Sequence, residues 1–308
     1  MPAAAAQAGR PGVIEIYRRS LKPNDLRFNN YACRPLAAVF VYLLYSTRAT
    51  PNQITFLSLF VALLADAALL GCPGRVGLAA AALLLYLSFV LDCTDGQLAR
   101  VTGQSSNVGS YLDFLMDEIK AVALIAAVAG RLAIDQMALP GLSDAGLPAN
   151  IAWLAFGLFG VVMAASGCSM TTFMRRPEYF ESVTGQKSER VPGFTALRAA
   201  TVQEPAESPL PLAGEGQGEG AVARSPSPNL SRERERGRSS PLRKLILLPI
   251  RVVEWLGKLT LHYPAWFYIP ALLGHIEWFL IPYVAAHTLY LGRSGLVVLV
   301  KLGRPRKR

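Results

Sequence analysis

Apolar residues gather in long runs, at about 54–71, 76–91, 112–133 and 151–170, with short polar stretches between them. Each run is near the length that carries an α-helix across about 30 Å of hydrocarbon. A further apolar region, 263–302, is interrupted by His275 and Glu277 and reads as two more helices joined by a very short turn. The pattern predicts an all-α, polytopic membrane protein with about six transmembrane helices. Ahead of the first run, residues 29–47 are apolar and aromatic but too short to span comfortably, and Arg48 follows them. This stretch reads as an N-terminal interfacial helix lying on the bilayer.

Between the fourth run and the last apolar region the character of the chain changes. Residues 186–243 are rich in Gly, Pro, Ser, Glu and Arg and poor in large apolar side chains. Such a segment cannot bury enough surface to offset its ordering entropy, so a disordered linker is expected. After it, apolar residues mix with Arg243, Lys244, Arg251 and Lys258, the pattern of a second interfacial helix. The chain therefore divides into a cytosolic N-terminal segment (1–47), a membrane core with helices one to four (48–180), the linker (181–244), and a last part with an interfacial helix, two spans and a basic tail (245–308).

Charge sets the orientation. The chain is 52% hydrophobic and 17% charged with a net charge of +10, and its mean hydropathy is positive. The loops after the first and third runs hold little beyond Arg75 and Arg131, while the N-terminal segment, residues 175–258 and the tail GRPRKR hold most of the remaining Lys and Arg. The positive-inside rule places both termini in the cytoplasm of a bacterial-type inner membrane. Basic loops facing anionic lipid account for the net charge, and no nucleic-acid partner is implied. The start, MPAAAAQAGRPG, lacks the apolar core of a signal peptide and reads as a cytosolic tail.

Against that apolar background four acids stand out, Asp92, Asp95, Asp113 and Asp117, at the facing ends of the second and third runs. One carboxylate at membrane depth costs roughly 2.5–3.5 kcal/mol, so four together need a cation. Asp92 and Asp95 are an i, i+3 pair and Asp113 and Asp117 an i, i+4 pair, so each helix projects two carboxylates from one face. The polar connection between them is short enough to join antiparallel neighbours, which makes the pairs face each other. Oxygen-only ligands suit Mg²⁺, Mn²⁺ or Ca²⁺, and four carboxylates could hold two such ions about 4 Å apart. Gly96, Ala99 and Gly109 leave room for a ligand to approach, and Arg100 offers a fork of donors to a phosphate.

Taken together, Asp92, Asp95, Gly96, Ala99, Arg100, Gly109, Asp113 and Asp117 spell D-x-x-D-G-x-x-A-R, eight residues, G-x-x-x-D-x-x-x-D. This resembles the signature of the CDP-alcohol phosphotransferase family, integral membrane enzymes that make phospholipid head groups. The resemblance is strongest over residues 50–117. It implies six spans and transfer of a substituted phosphate, such as phosphatidyl, from a CDP-linked lipid or alcohol to an alcohol acceptor, with release of CMP. It also implies two divalent ions, Mg²⁺ or Mn²⁺, on Asp92, Asp95 and Asp113, with Asp117 as general base that could also touch a metal. Gly96, Ala99, Arg100 and Gly109 would hold the CDP moiety. Asn52 and Thr55, at the mouth of the first span, look like the family's helix entrance beside the nucleotide, although a plain helix start reads equally well there. The active site then faces the cytoplasm, where CDP-linked donors are made.

Other residues carry less. Arg175 and Arg176 end the fourth run, either as positive-inside anchors or as a pocket for an acceptor or lipid phosphate. Asp66, a lone acid in the first run, is expected to be satisfied within the bundle. The three histidines are too scattered to form a constellation, and the four cysteines show no metal-ligand spacing. Membrane lipid is an expected partner and a homodimer is allowed for. Two rival classes exist: a cation or proton transporter would spread its acids along several helices at mid-span, and a noncatalytic scaffold would be expected to have lost an aspartate.

Overall fold

Thr50 starts the first long helix with a capping box. Its hydroxyl accepts the Gln53 amide at 3.4 Å, the Gln53 side chain accepts the Thr50 amide at 3.0 Å, and Pro51 sits in the first turn, where no donor is lost. The structure, a computed structural model, describes residues 11–21, 28–139, 141–144, 146–174, 176–184, 262 and 266–303. In chain order these form α1 (Val13–Ser20), a π-helical turn (Asn29–Cys33), α2 (Arg34–Leu44), α3 (Pro51–Gly71), α4 (Gly74–Val101), α5 (Asn107–Ile134), α6 (Ala149–Met174), α7 (Pro177–Thr184), α8 (Tyr268–Leu273) and α9 (Glu277–Leu302). Among the described residues there is no strand.

Among the described residues four helices, α3, α4, α6 and α9, are long and apolar enough to cross a membrane. Helix α5 matches α4 at 28 residues but carries Asp113, Asp117, Glu118 and Lys120 in its first half, so composition sets it apart. It still packs into the bundle, against α3 and α6. The two-helix reading of 263–302 is met in part. Gly274, at φ +81°, makes the short turn between α8 and α9, but the described part of the first helix is six residues, about 9 Å of rise, and cannot cross. By length and composition four spans lie within the described residues, and residues 263–265, just ahead of α8, lie outside them. At the N-terminus α2 forms where an interfacial helix was expected, and α1 packs on it. Residues 185–261, which hold most of the expected linker and the second interfacial helix, lie outside the described residues.

The outward faces are apolar: Phe56, Phe60, Leu158, Leu289 and Leu299 are each more than half exposed. Apolar surface on this scale suits lipid tails and not water. Polar groups point inward and tie helices together. Ser58 Oγ donates to the Ser88 carbonyl and Ser88 Oγ to the Ser58 carbonyl, both at 2.8 Å, which locks α3 to α4. Where α5 meets α6, a Cβ on Gly157 would fall 2.3 Å from that of Ala129, so only glycine permits this approach.

Far from the aspartates, Arg131 closes the other end of the bundle. It is 3% exposed and donates to the carbonyls of Leu69 (3.1 Å), Cys72 (2.5 Å) and Gly74 (3.4 Å), while its Nε pairs with Asp135 at 2.7 Å. The Leu69 and Cys72 carbonyls belong to the end of α3 and the turn after it, which helix geometry leaves without internal partners, and Gly74 opens α4. Arg131→Met is therefore expected to cost roughly 3 kcal/mol, because charged hydrogen bonds are lost and buried carbonyls are orphaned. A clear fall in Tm in detergent, with divalent-ion affinity unchanged, is the expected outcome; an unchanged Tm would show that the turn holds without it.

Candidate active site

Helix α4 ends and α5 begins at the same face of the bundle. The Thr102 hydroxyl donates to the Leu98 carbonyl at 2.7 Å, Gly103 turns the chain at φ +69°, and the Gln104 amide closes on the Ala99 carbonyl at 2.8 Å. Ser106 then caps α5 by accepting the Gly109 amide at 3.0 Å. This tight reversal brings the carboxylate pairs of the two helices together.

Three of the acids converge. Asp92, Asp95 and Asp113 each place a carboxylate oxygen within 4.8 Å of the others. Asp95 is the most enclosed, at 4% exposure, and its Oδ2 accepts the Thr55 hydroxyl at 2.5 Å, tying α4 to α3. Asp117 is outside that group of three, with 48% of its side chain exposed, yet it reaches the Asp92 carboxylate. Between it and Asp92 lies Lys120, whose Nζ is 2.6 Å from Asp92 Oδ1 and 3.1 Å from Asp117 Oδ1.

All eight fixed positions of the motif line one cleft of about 440 Å³, and so do Asn52 and Thr55. A Cβ on Gly109 would meet Ser106 Oγ at 3.1 Å and Asn52 Oδ1 at 3.5 Å, so the bare backbone lets the start of α5 approach that of α3. A Cβ on Gly96 would stand 3.3 Å from Arg100 Nη1, so its absence gives the guanidinium room beside α4. The converging donors are all carboxylate oxygens, the set a hard divalent cation takes, and three clustered negative charges favour one. The residues present fit such an ion.

Some expected residues fall elsewhere. Arg176 is exposed and does not line the cleft, and Arg175 lies outside the described residues. Asp66 is buried in α3, yet neither of its oxygens has a hydrogen-bond partner among the described residues. Other residues at the site were not foreseen. Lys120 left one signal, a lone cation in an apolar run three positions after Asp117. Asn29, Arg34 and His262 line the cleft from the two ends of the chain, with His262 Nε2 at 3.0 Å from Asn29 Oδ1. Arg34 is seated by a bond to the Ser20 carbonyl, and its own carbonyl accepts from Gln97 at 3.2 Å.

A family model described as CDP-alcohol phosphatidyltransferase matches residues 48–207, just over half of the chain. The chain belongs to that family. The match begins just before the capping box of α3 and takes in the whole aspartate motif, so the family and the cleft coincide. CDP-alcohol phosphatidyltransferases transfer substituted phosphate groups and are typically dependent on divalent metal, in keeping with the three converging aspartates. No curated protein matches the chain significantly.

Proposed function

We propose that the chain transfers a phosphatidyl group from CDP-diacylglycerol, or the substituted phosphate of another CDP-linked lipid or alcohol, to the hydroxyl of an alcohol acceptor, releasing CMP in phospholipid synthesis. The observation that carries this reading is the convergence of all eight fixed motif positions on one cleft at one end of the bundle. Asp92, Asp95 and Asp113 would hold Mg²⁺ or Mn²⁺, which would offset the negative charge that develops during phosphoryl transfer. Arg100 donates to the pyrophosphate, which the bare backbones of Gly96 and Gly109 and the small Ala99 let come close. Asn52 and Thr55 border the nucleotide. Asp117 takes the proton of the acceptor hydroxyl; the acceptor oxygen bonds to the phosphorus that carries the lipid or alcohol. The bond from that phosphorus to the bridging oxygen breaks, and CMP departs with the electron pair.

The membrane placement supports the same reading. Helix α5 serves as the third of six crossings, with its charged half at the cytoplasmic face beside the end of α4, and α2 lies along that face. Arg75 and Arg131 are among the few basic residues at the opposite end, so the positive-inside rule turns the cleft and both termini toward the cytoplasm, where CDP-linked donors are made. Surface anchoring suits the exposed Arg176 better than a phosphate pocket does. One chain supplies every residue of the site, so the reading needs no second copy.

Detergent-purified protein given labelled CDP-diacylglycerol and a panel of acceptors (glycerol phosphate, inositol phosphate, serine and an amino alcohol) is expected to release CMP with at least one of them. The release is expected to require Mg²⁺ or Mn²⁺ and to stop in excess chelator. No release from this donor or from CDP-linked small alcohols would leave the transporter or scaffold reading in its place, and full turnover in chelator would remove the metal.

A further inference from the structure

We propose that Lys120 takes the place of a second metal ion, so that the site works with one divalent cation and one built-in ammonium group. The inference rests on the transferase reading above. Four carboxylates on two helices have room for two hard cations, but only Asp92, Asp95 and Asp113 gather their oxygens within 4.8 Å. The fourth, Asp117, meets the Asp92 carboxylate, and the Lys120 ammonium holds both, at 3.1 Å from Asp117 and 2.6 Å from Asp92. That is the place a second ion shared by the two helices would take.

Lys120 is poorly able to leave it. The residue is 2% exposed and lies one turn along α5 from Asp117, on the side that faces Asp92. A surface lysine swings into water at little cost, whereas moving this one would strip a buried ammonium of both its partners. The distances differ too. Mg²⁺ binds oxygen at about 2.0–2.1 Å and would draw the two carboxylates together, while the ammonium holds them at hydrogen-bond length. An ion in the same place would stand against a positive charge at contact distance. Lys120 thus keeps Asp92 shared between the metal position and itself, and keeps Asp117 out of the metal position and available to the acceptor. It is a positioning residue: it touches the base and a ligand, not the reacting atoms.

Counting Mn²⁺ on the purified full-length chain, by the spin resonance of free ion at increasing total Mn²⁺, is expected to give one ion per chain. The Mg²⁺ dependence of turnover in the wild type is expected to be hyperbolic. In Lys120→Gln, which keeps hydrogen-bonding capacity and removes the charge, the count is expected to rise to two, the Mg²⁺ dependence to become sigmoidal, and turnover to fall at least about tenfold. Two ions per wild-type chain would overturn the proposal and leave the transferase reading intact. One ion in both proteins would show that Lys120 does not stand in for a metal. No bound ion together with turnover in chelator would remove the metal from the transferase reading as well, which is a different result from a count of two. Should Lys120→Gln fail to fold, the wild-type count and the shape of its Mg²⁺ curve still decide.

Discussion

Asp95→Asn is expected to reduce turnover by about 10³-fold or more while leaving the helices in place. A loss of that size corresponds to about 4 kcal/mol of transition-state stabilisation, within the range a bound divalent ion supplies at a transferring phosphoryl group. Asp95 is the carboxylate from which the effect should be cleanest. It is 4% exposed, it gathers with Asp92 and Asp113, and its other contact is the Thr55 hydroxyl, which an asparagine oxygen can still accept. The substitution removes one of three crowded negative charges without removing volume, so insertion and Tm should hold or improve. Mn²⁺ binding should weaken in step with activity. Asp113→Asn should behave alike, whereas Asp92→Asn should do further harm because it also deprives Lys120 of its nearer partner. An Asp95→Asn protein that keeps more than a tenth of the turnover would remove this residue from the metal site.

Asp117→Asn is expected to lose about 10²–10⁴-fold in turnover by a different route, with donor and Mn²⁺ affinity staying within a few fold. A general base acts on the chemical step, and Asp117 is placed for that part. It lies outside the group of three, 48% of its side chain is open, and it lines the same cleft as the metal position. Lys120 orients one of its oxygens. Donor binding, Mn²⁺ binding and turnover measured on one detergent preparation of each variant separate the two roles. If Asp117→Asn loses metal and donor as completely as Asp95→Asn, Asp117 is chiefly a ligand and the proton goes elsewhere; near-normal turnover would end its role as base.

Much of the site was legible because it is built from short-range features. The i, i+3 and i, i+4 spacings follow from helix periodicity, and the caps at Thr50 and Ser106 are local chemistry. Lys120 was harder to see, since one lysine in an apolar run reads equally well as a residue reaching for a membrane surface. Its role depends on α4 bringing Asp92 to it, which no spacing within α5 reveals. Asn29 and His262 meet across 233 positions of chain, and nothing local to either residue predicts the contact. The end of the chain was legible only in part, since among the described residues its apolar character is divided between the six residues of α8 and one long helix.

The chain by itself determines where α3, α4, α5 and α6 form, and that the carboxylates stand where α4 ends and α5 begins. Hydropathy over twenty residues, with a capping residue at the start of α3 and of α5, is enough for that, because both act within a helix and its immediate flanks. The tertiary structure alone decides that three of the four carboxylates converge while Asp117 pairs with Lys120, and that Asn29, Arg34 and His262 close the cleft from distant parts of the chain. Those outcomes depend on the spacing and rotation of packed helices. Contacts such as Ser58 with Ser88 and Gly157 against Ala129 set both, and each needs a partner that lies far away in the sequence.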